Sequence, residues 1–205
     1  MKTYTKPALF SSLIGLAVSL SACSQASSAE EAQAVSTSVV AANWDIQADG
    51  SHIQFSAEQE GKTFTGEFTE FSGVINFDPA APETGSVKIT VPLKSVDAGS
   101  KDRTSTLPDK VWFSAKAFPD AVYTSSDISA QGDGYIAKGE LTLKGTSVPL
   151  DLPFTLDLDG SVAVMTSSVE MDRTLWNVGA APWDTDEWVS RTVKLDLKVT
   201  AKKIQ

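Results

Sequence analysis

From residue 148 to 158 the sequence VPLDLPFTLDL puts Val148, Leu150, Leu152, Phe154, Leu156 and Leu158 at every even position, with Pro, Asp or Thr between them. A period of two is the mark of a β-strand with one dry face and one wet face. The same period recurs in IQF (53–55) and in TFTGEFTEF (63–71), where Phe64, Gly66 and Phe68 oppose Thr63, Thr65, Glu67 and Thr69. It returns in GVINF (73–77), SVKITVPL (86–93), AVYTSSDI (121–128), YIAKGELTLK (135–144), SVAVMTSSVEM (161–171) and TVKLDLKVTA (192–201). Turn signals at PAAPETG, AQGDG, LKGTS and DLDGS separate these runs, so the spacing predicts an antiparallel barrel or sandwich of eight or nine strands. Pro149 and Pro153 have no N–H to give a ladder, which predicts a break or weak pairing there. Gly66 predicts a bend, or room for a bulky neighbour.

Two stretches break the period. In DAGSKDRTSTLPDKVWFSAKAFPD (97–120), Ser100 or Asp102 caps a short helix that Pro108 ends, and Val111, Trp112, Phe113 and Phe118 give the segment an apolar side. It reads as a helical insert near 100–115 that plugs or covers a barrel end. The second, RTLWNVGAAPWDTDEWV (173–189), gathers Trp176, Trp183 and Trp188. Indoles need a partner for the ring N–H. The segment is either a cap over the core or the mouth of a ligand site.

The N-terminus adds an address. Lys2 and Lys6 precede the uncharged run ALFSSLIGLAVSL and then LSAC (20–23), a pattern of export rather than of a membrane span. LSAC resembles the lipobox of bacterial lipoproteins, which makes Cys23 the acylated residue and residues 1–23 the signal. Ser24 after it resembles outer-membrane sorting, which places the protein on the periplasmic side of that membrane. The alternative is cleavage after SSA (27–29) and a soluble periplasmic protein. Residues 24–42, rich in Ser, Ala, Gln and Glu, read as a flexible tether, and 43–205 as one domain. Loss of 1–23 removes two lysines and no acid, moving the formal charge from −9 to −11. So acidic a chain is no partner for nucleic acid and has no basic patch for anionic lipid. With Cys23 the single cysteine, apolar burial and not a disulfide must hold the fold.

Catalytic chemistry finds few carriers. His52 is the one histidine, in GSHIQF, without a nucleophile elbow near it. It reads as a hydrogen-bonding residue at a strand start. No zinc set is available, so no metal site is expected. DTDE (184–187) beside tryptophans would suit calcium or a sugar-active carboxylate pair using Asp184, Asp186 or Glu187, but such acidic runs are common on surfaces. Of the three arginines, Arg103 and Arg173 flank the irregular segments, either as contacts for an anionic head group or as ion-pair partners of Asp102 and Asp172.

Seven stretches together resemble the YceI family in order and spacing from Trp44 to Lys203: WDI (44–46), GSHIQFS (50–56), GEFTEFSGVINFDP (66–79), SVKITVPLKSVDAG (86–99), AFPDAVYTSSDI (117–128), GELTLKGTSVPLDLPF (139–154) and MDRTLWNVG (171–179). The resemblance implies an all-β fold, an extended eight-stranded antiparallel lipocalin-like barrel whose apolar interior holds an isoprenoid or other long-chain lipid. It implies binding or carriage in the periplasm without catalysis, and no cofactor beyond a bound isoprenoid, quinone or fatty-acid-type lipid. A membrane cytochrome of the b561 type enters as a partner suggested for the family. The expected lipid-lining residues are Ile53, Phe55, Phe64, Phe68, Ile89, Val91, Leu141, Leu143, Leu150, Leu152, Phe154, Met165, Val193 and Leu195, with Trp112, Phe113, Phe118 and Trp176 at the ends. A barrel packed shut by its own side chains, serving as a scaffold or interaction module, predicts the same alternation and stays open at this point. Oligomeric state is not legible.

Overall fold

The structure, a computed structural model, describes residues 43–205. The signal, Cys23 and the tether lie outside the described residues. Ten strands follow one another: β1 Trp44–Gln59, β2 Lys62–Phe68, β3 Ser72–Asn76, β4 Ser86–Pro92, β5 Val96–Asp97, β6 Asp120–Gln131, β7 Gly134–Leu143, β8 Thr146–Asp159, β9 Val162–Asp172 and β10 Thr192–Lys203, with one α-helix, α1, at Lys101–Thr106.

These ten strands make eight staves. β2 and β3 are one stave interrupted at 69–71, and β4 and β5 are one stave interrupted by a 3-10 turn at Leu93–Ser95. The interruptions lie side by side, since both the amide and the hydroxyl of Thr69 donate to the Ser95 carbonyl at 3.0 Å. Pro92, the last residue of β4, has no N–H of its own to give a ladder. β3 then pairs with β4, and β2 with β5. From β4 the order runs β6, β7, β8, β9, β10, and β10 closes the ring on β1 from Trp44↔Lys203 to Ser56↔Lys194. The result is a closed eight-stranded antiparallel barrel, one of the two architectures the alternation allows and the one the family resemblance implies.

Tight hairpins turn at Glu60–Gly61 (φ 51° and 72°) and Lys144–Gly145 (φ 51° and 79°). Two successive positive φ values match the right-handed strand twist. The expected break at Pro149 and Pro153 is one-sided. β8 is continuous and pairs with β7 from Leu143↔Thr146 to Tyr135↔Phe154, while its ladder with β9 starts only at Phe154↔Ser167. Both prolines fall on the half without a β9 partner, and the Ser167 hydroxyl donates to the Pro153 carbonyl at 2.7 Å.

At one end, called here the insert end, residues 98–119 fold into the barrel opening. Ser100 Oγ caps α1 by accepting from the Arg103 amide. Phe113 and Ala115 are buried against Phe55, Leu93, Val96, Ala98, Leu143, Trp176 and Val178. The second irregular stretch lies over this plug: the Gly179 amide donates to the Val111 carbonyl at 3.0 Å, and Trp183 packs on Trp112 with ring centroids 6.1 Å apart. Lys144, in the β7–β8 turn, ties the two together by donating to the carbonyls of Val111 (2.8 Å) and Asn177 (2.6 Å). At the opposite, Trp44 end, Trp44, Phe77, Ala163 and Ala201 are buried in a second cluster. There Phe77, Tyr135 and Phe154 stand within 5.1–5.9 Å of one another, ring centroid to centroid.

Candidate functional site

Beyond the packed insert end the barrel is hollow as far as the Trp44 cluster. A cavity of about 180 Å³ runs inside it, against the ~10–15 Å³ of such space that one water needs. Its wall is built from inward positions of β1, β3, β4, β6, β7, β8, β9 and β10, among them Ile53, Ile75, Val87, Ile89, Leu141, Leu150, Leu156, Met165, Leu195 and Leu197. These ten side chains point into a closed ring and yet are only half-buried. Inward residues nearer the insert end, Phe55, Leu143, Val96 and Leu93, are buried. None of these four lines the cavity, which stops short of the insert end.

The wall is hydrocarbon apart from Trp44, Ser86 and Tyr123. Trp44 Nε1 donates to the Phe77 carbonyl at 2.9 Å, and the Tyr123 hydroxyl to the Ala137 carbonyl at 2.9 Å. Burial, and to a lesser degree the charge of Asp151, pushes the Tyr123 phenol well above its ordinary value, so it stays neutral. A wall of this kind offers water no partners, and apolar cavities of this order stay dry or take apolar guests.

Of the expected lining residues, Ile53, Ile89, Val91, Leu141, Leu150, Leu152, Phe154, Met165 and Leu195 line the cavity. Phe55, Phe64, Phe68, Leu143 and Val193 do not: they belong to the packed insert end, where Phe55 meets Phe64 and Phe68 at 6.4 and 5.8 Å. Trp112 and Phe113 form the plug itself, Trp176 is buried with its Nε1 donating to the Leu141 carbonyl at 2.8 Å, and Phe118 is exposed over Gly145. Gly66 makes room for the Phe55 ring rather than for a ligand, since a Cβ there would strike that ring and the Asp97 carbonyl. The tryptophan-rich stretch is the cap and not the mouth: Trp183 rests on Trp112, Trp188 faces solvent, and neither reaches the cavity.

Part of the wall lies outside the expected set. Leu197, Val199 and Ala201 continue the parity of Val193 and Leu195, and Ala121 and Tyr123 have the parity of AVYTSSDI, so the signal was present. Ile128 was hidden by the irregularity between Ser125 and Asp127, which switches the inward face. Trp44 was hidden by the one between Gln47 and His52.

The arginines serve the fold. Arg173 is 3% exposed and donates to the carbonyls of Val178 (2.6 Å), Gly179 (3.3 Å), Trp183, Val189 (2.8 Å) and Ser190 (2.9 Å), with its guanidinium over the Trp112 ring. Burial pulls its pKa down, and Asp172, Asp186 and Asp184 partly restore it. Arg103 donates to the Ala98 carbonyl at 2.9 Å and lies 4.7 Å from the Phe64 ring centre. Neither pairs with its flanking acid; Asp172 pairs instead with Arg191 at 2.6 Å. His52 is half-buried at the irregularity within β1, facing Lys198 on β10, rather than at a strand start. Asp184, Asp186 and Glu187 are exposed, and Asp186 accepts from the Arg191 amide at 2.6 Å. Among the described residues no three His, Cys, Asp or Glu side chains gather as a metal site.

Residues 44–201 match the model of the YceI-like domain. The chain belongs to the YceI-like family. Relatives include a UPF0312 protein of Photorhabdus laumondii, 32% identical over 119 residues, which are 57% of this chain and 62% of that protein. A UPF0312 protein of Yersinia pestis is 32% identical over 127 residues, 60% of this chain and 66% of the relative. The chain thus spans just under two thirds of the curated relatives it matches. Among solved structures, the YceI-like barrel resembles Burkholderia cenocepacia BcnA, with 30% identity, a TM-score of 0.74, and coverage of 77% of this chain and all of that one. It shares its fold with a polyisoprenoid binding domain from Saccharophagus degradans, implicated in plant cell wall breakdown, at 16% identity and a TM-score of 0.62 over 80% of this chain and 99% of that one.

Proposed function

We propose that this YceI-like protein binds a long-chain isoprenoid or related lipid in its hollow middle and carries it, without catalysis, in the bacterial periplasm. One observation carries the reading: inward apolar side chains surround unfilled space from mid-barrel to the Trp44 end, while the insert end is packed. A barrel serving only as a scaffold would use those side chains to fill its own core. The family match and the polyisoprenoid-binding neighbour point the same way. Each buried methylene contributes roughly 0.8 kcal/mol, so a chain of about a dozen carbons supplies ample gross driving force without a directed hydrogen bond. Acylation of Cys23, with residues 24–42 as tether, would hold the carrier beside the outer membrane, and a membrane cytochrome of the b561 type is the partner the family resemblance suggests if the cargo is a quinone.

The test is native mass spectrometry of the protein purified from its own envelope, followed by solvent extraction. A stoichiometric lipid adduct is expected. A clean apo mass that persists after incubation with quinones, polyprenols and fatty acids would overturn the carrier reading in favour of a scaffold.

A further inference from the structure

At the Trp44 end the cavity is shut by side chains and not by a ladder. The pairing of β7 with β8 finishes at Tyr135↔Phe154, one residue from the start of β7. From Thr155 to Asp159, β8 pairs among the described residues with β9 alone. Leu158 records the consequence: it stands opposite the cavity-lining Ala163, so it faces inward, and yet it is 49% exposed. The rings of Phe77, Tyr135 and Phe154 meet at this opening, and behind them Ala137, Ala163 and Ala201 line the cavity with short side chains. Phe77 begins the connection 77–85 from β3 to β4, and it is held by the residue at which the chain enters the barrel. Asn43 Oδ1 accepts from the Phe77 amide at 2.9 Å, and Asn43 Nδ2 donates to the Phe77 carbonyl at 3.2 Å. Trp44 Nε1 donates to the same carbonyl. The Asn43 backbone is itself fixed, its amide donating to the Ile75 carbonyl at 2.9 Å and its carbonyl accepting from the Ile204 amide at 3.0 Å.

We propose that Phe77, Tyr135 and Phe154 form the gate of the cavity and that Asn43 is its latch, so that a guest enters and leaves at the Trp44 end. This rests on the carrier reading above and adds the route to it. The cost of each exit decides between them. A path through the insert end displaces the fully buried Trp176 and Leu93 and breaks the ties of Lys144 to the Val111 and Asn177 carbonyls. A path between fully paired staves leaves several backbone donors and acceptors unpaired at once. Two seams lack a ladder over part of their length, and packed side chains fill both. Where β8 has no β9 partner, Val148 belongs to the insert-end cluster and the Ser167 hydroxyl bridges to Pro153. Where β1 pairs with β3 only at Trp44↔Ile75, Ile46 lies against Gly73. Swinging Phe77 outward releases three neutral hydrogen bonds made to one residue, two of them from a half-buried side chain that water can reach.

Stopped-flow fluorescence with N-phenyl-1-naphthylamine, an uncharged apolar probe, measures entry and exit rates on the delipidated full-length protein. Three variants each loosen one exit: Asn43→Ala the Trp44 end, Lys144→Met the plug, and Ser167→Ala the seam between β8 and β9. Asn43 does not line the cavity. Asn43→Ala is therefore expected to raise both rates about three- to tenfold, the range of one net neutral hydrogen bond, with their ratio, the Kd, unchanged within about twofold. Asn43→Asp keeps the acceptor for the Phe77 amide and loses the donor, so its rates should fall between those of wild type and Asn43→Ala, and it carries the test if the alanine variant does not fold. Wild-type rates in the Asn43 variants would overturn the gate, whichever other variant exchanged faster, and leave the carrier reading intact. A faster exit with unchanged entry would make Asn43 a support of the bound state and overturn its role as latch. Absence of saturable probe binding to the wild type would overturn the carrier reading and the gate with it.

Discussion

Arg173 spreads its donors over five carbonyls of one loop, from Val178 to Ser190, and so sets the path of the whole tryptophan-rich cap. Replacing it with Met would leave several buried carbonyls unpaired at ~1–3 kcal/mol each, partly relieved by water. Arg173→Met is therefore expected to lower stability by about 3 kcal/mol or more, read from the urea midpoint, with lipid bound per folded molecule unchanged. A specific loss of lipid affinity at full stability would instead restore the head-group role. The position shows how far sequence reasoning carries at this scale. Asp172 next to Arg173 suggested an ion pair, because adjacency is visible in a sequence. That Arg191, brought alongside by β10, takes Asp172 instead depends on a strand pairing twenty residues away.

At the scale of elements, the 3-10 turn at Arg173–Trp176 is held at its start by Asp172, whose carboxylate accepts from the Thr174 amide (2.9 Å) and hydroxyl (2.6 Å) and pairs with Arg191. Partial burial pushes this carboxyl up, but those bonds outweigh it and hold the pKa below its ordinary 3.8. A depressed carboxylate stabilises the fold above its unfolded pKa, and that contribution is lost as pH falls through the folded value. Asp172→Asn is accordingly expected to remove a step from the acid limb of stability below about pH 3.8. The step should not exceed about 1 kcal/mol, because the pair is substantially exposed. Urea melts of both proteins from pH 6 to pH 2.5 check it; parallel curves would discount the cap. Most elements were legible from period two alone, along with the insert and a helix cap narrowed to Ser100 or Asp102, of which the structure uses Ser100. What was not legible was where a strand changes its inward face. The irregularities at 48–51 in β1 and at Ser126 in β6 switch parity, and nothing in residue type marks them strongly enough to be found by alternation.

For the whole molecule, alternation says which side chains face inward, and volume is what remains after they pack. That second quantity depends on stave number and tilt, so the hollow middle and the solid insert end look alike in the sequence. Phe68 and Leu152 were equivalent there, and the structure packs one against the plug and puts the other on the cavity wall. Filling the cavity tests the distinction. Met165→Trp should occupy the unfilled space, change stability by no more than about 1–3 kcal/mol, and reduce lipid uptake at least about tenfold. Uptake at the wild-type level would mean that the lipid sits elsewhere.

The ring is closed by its first strand on its last, with the Gly50 carbonyl accepting from Thr200 Oγ1 across 150 positions. A ribosome adding about 5–20 residues per second needs roughly 8 to 30 seconds to make that intervening stretch. Throughout, β1 has an open edge and an uncovered apolar face, a hazard that only a holding chaperone or rapid passage onward can limit. Nothing can be enclosed during that interval, because there is not yet an inside. A guest of this interior therefore meets the chain only once the last strand has been made and the ring can close.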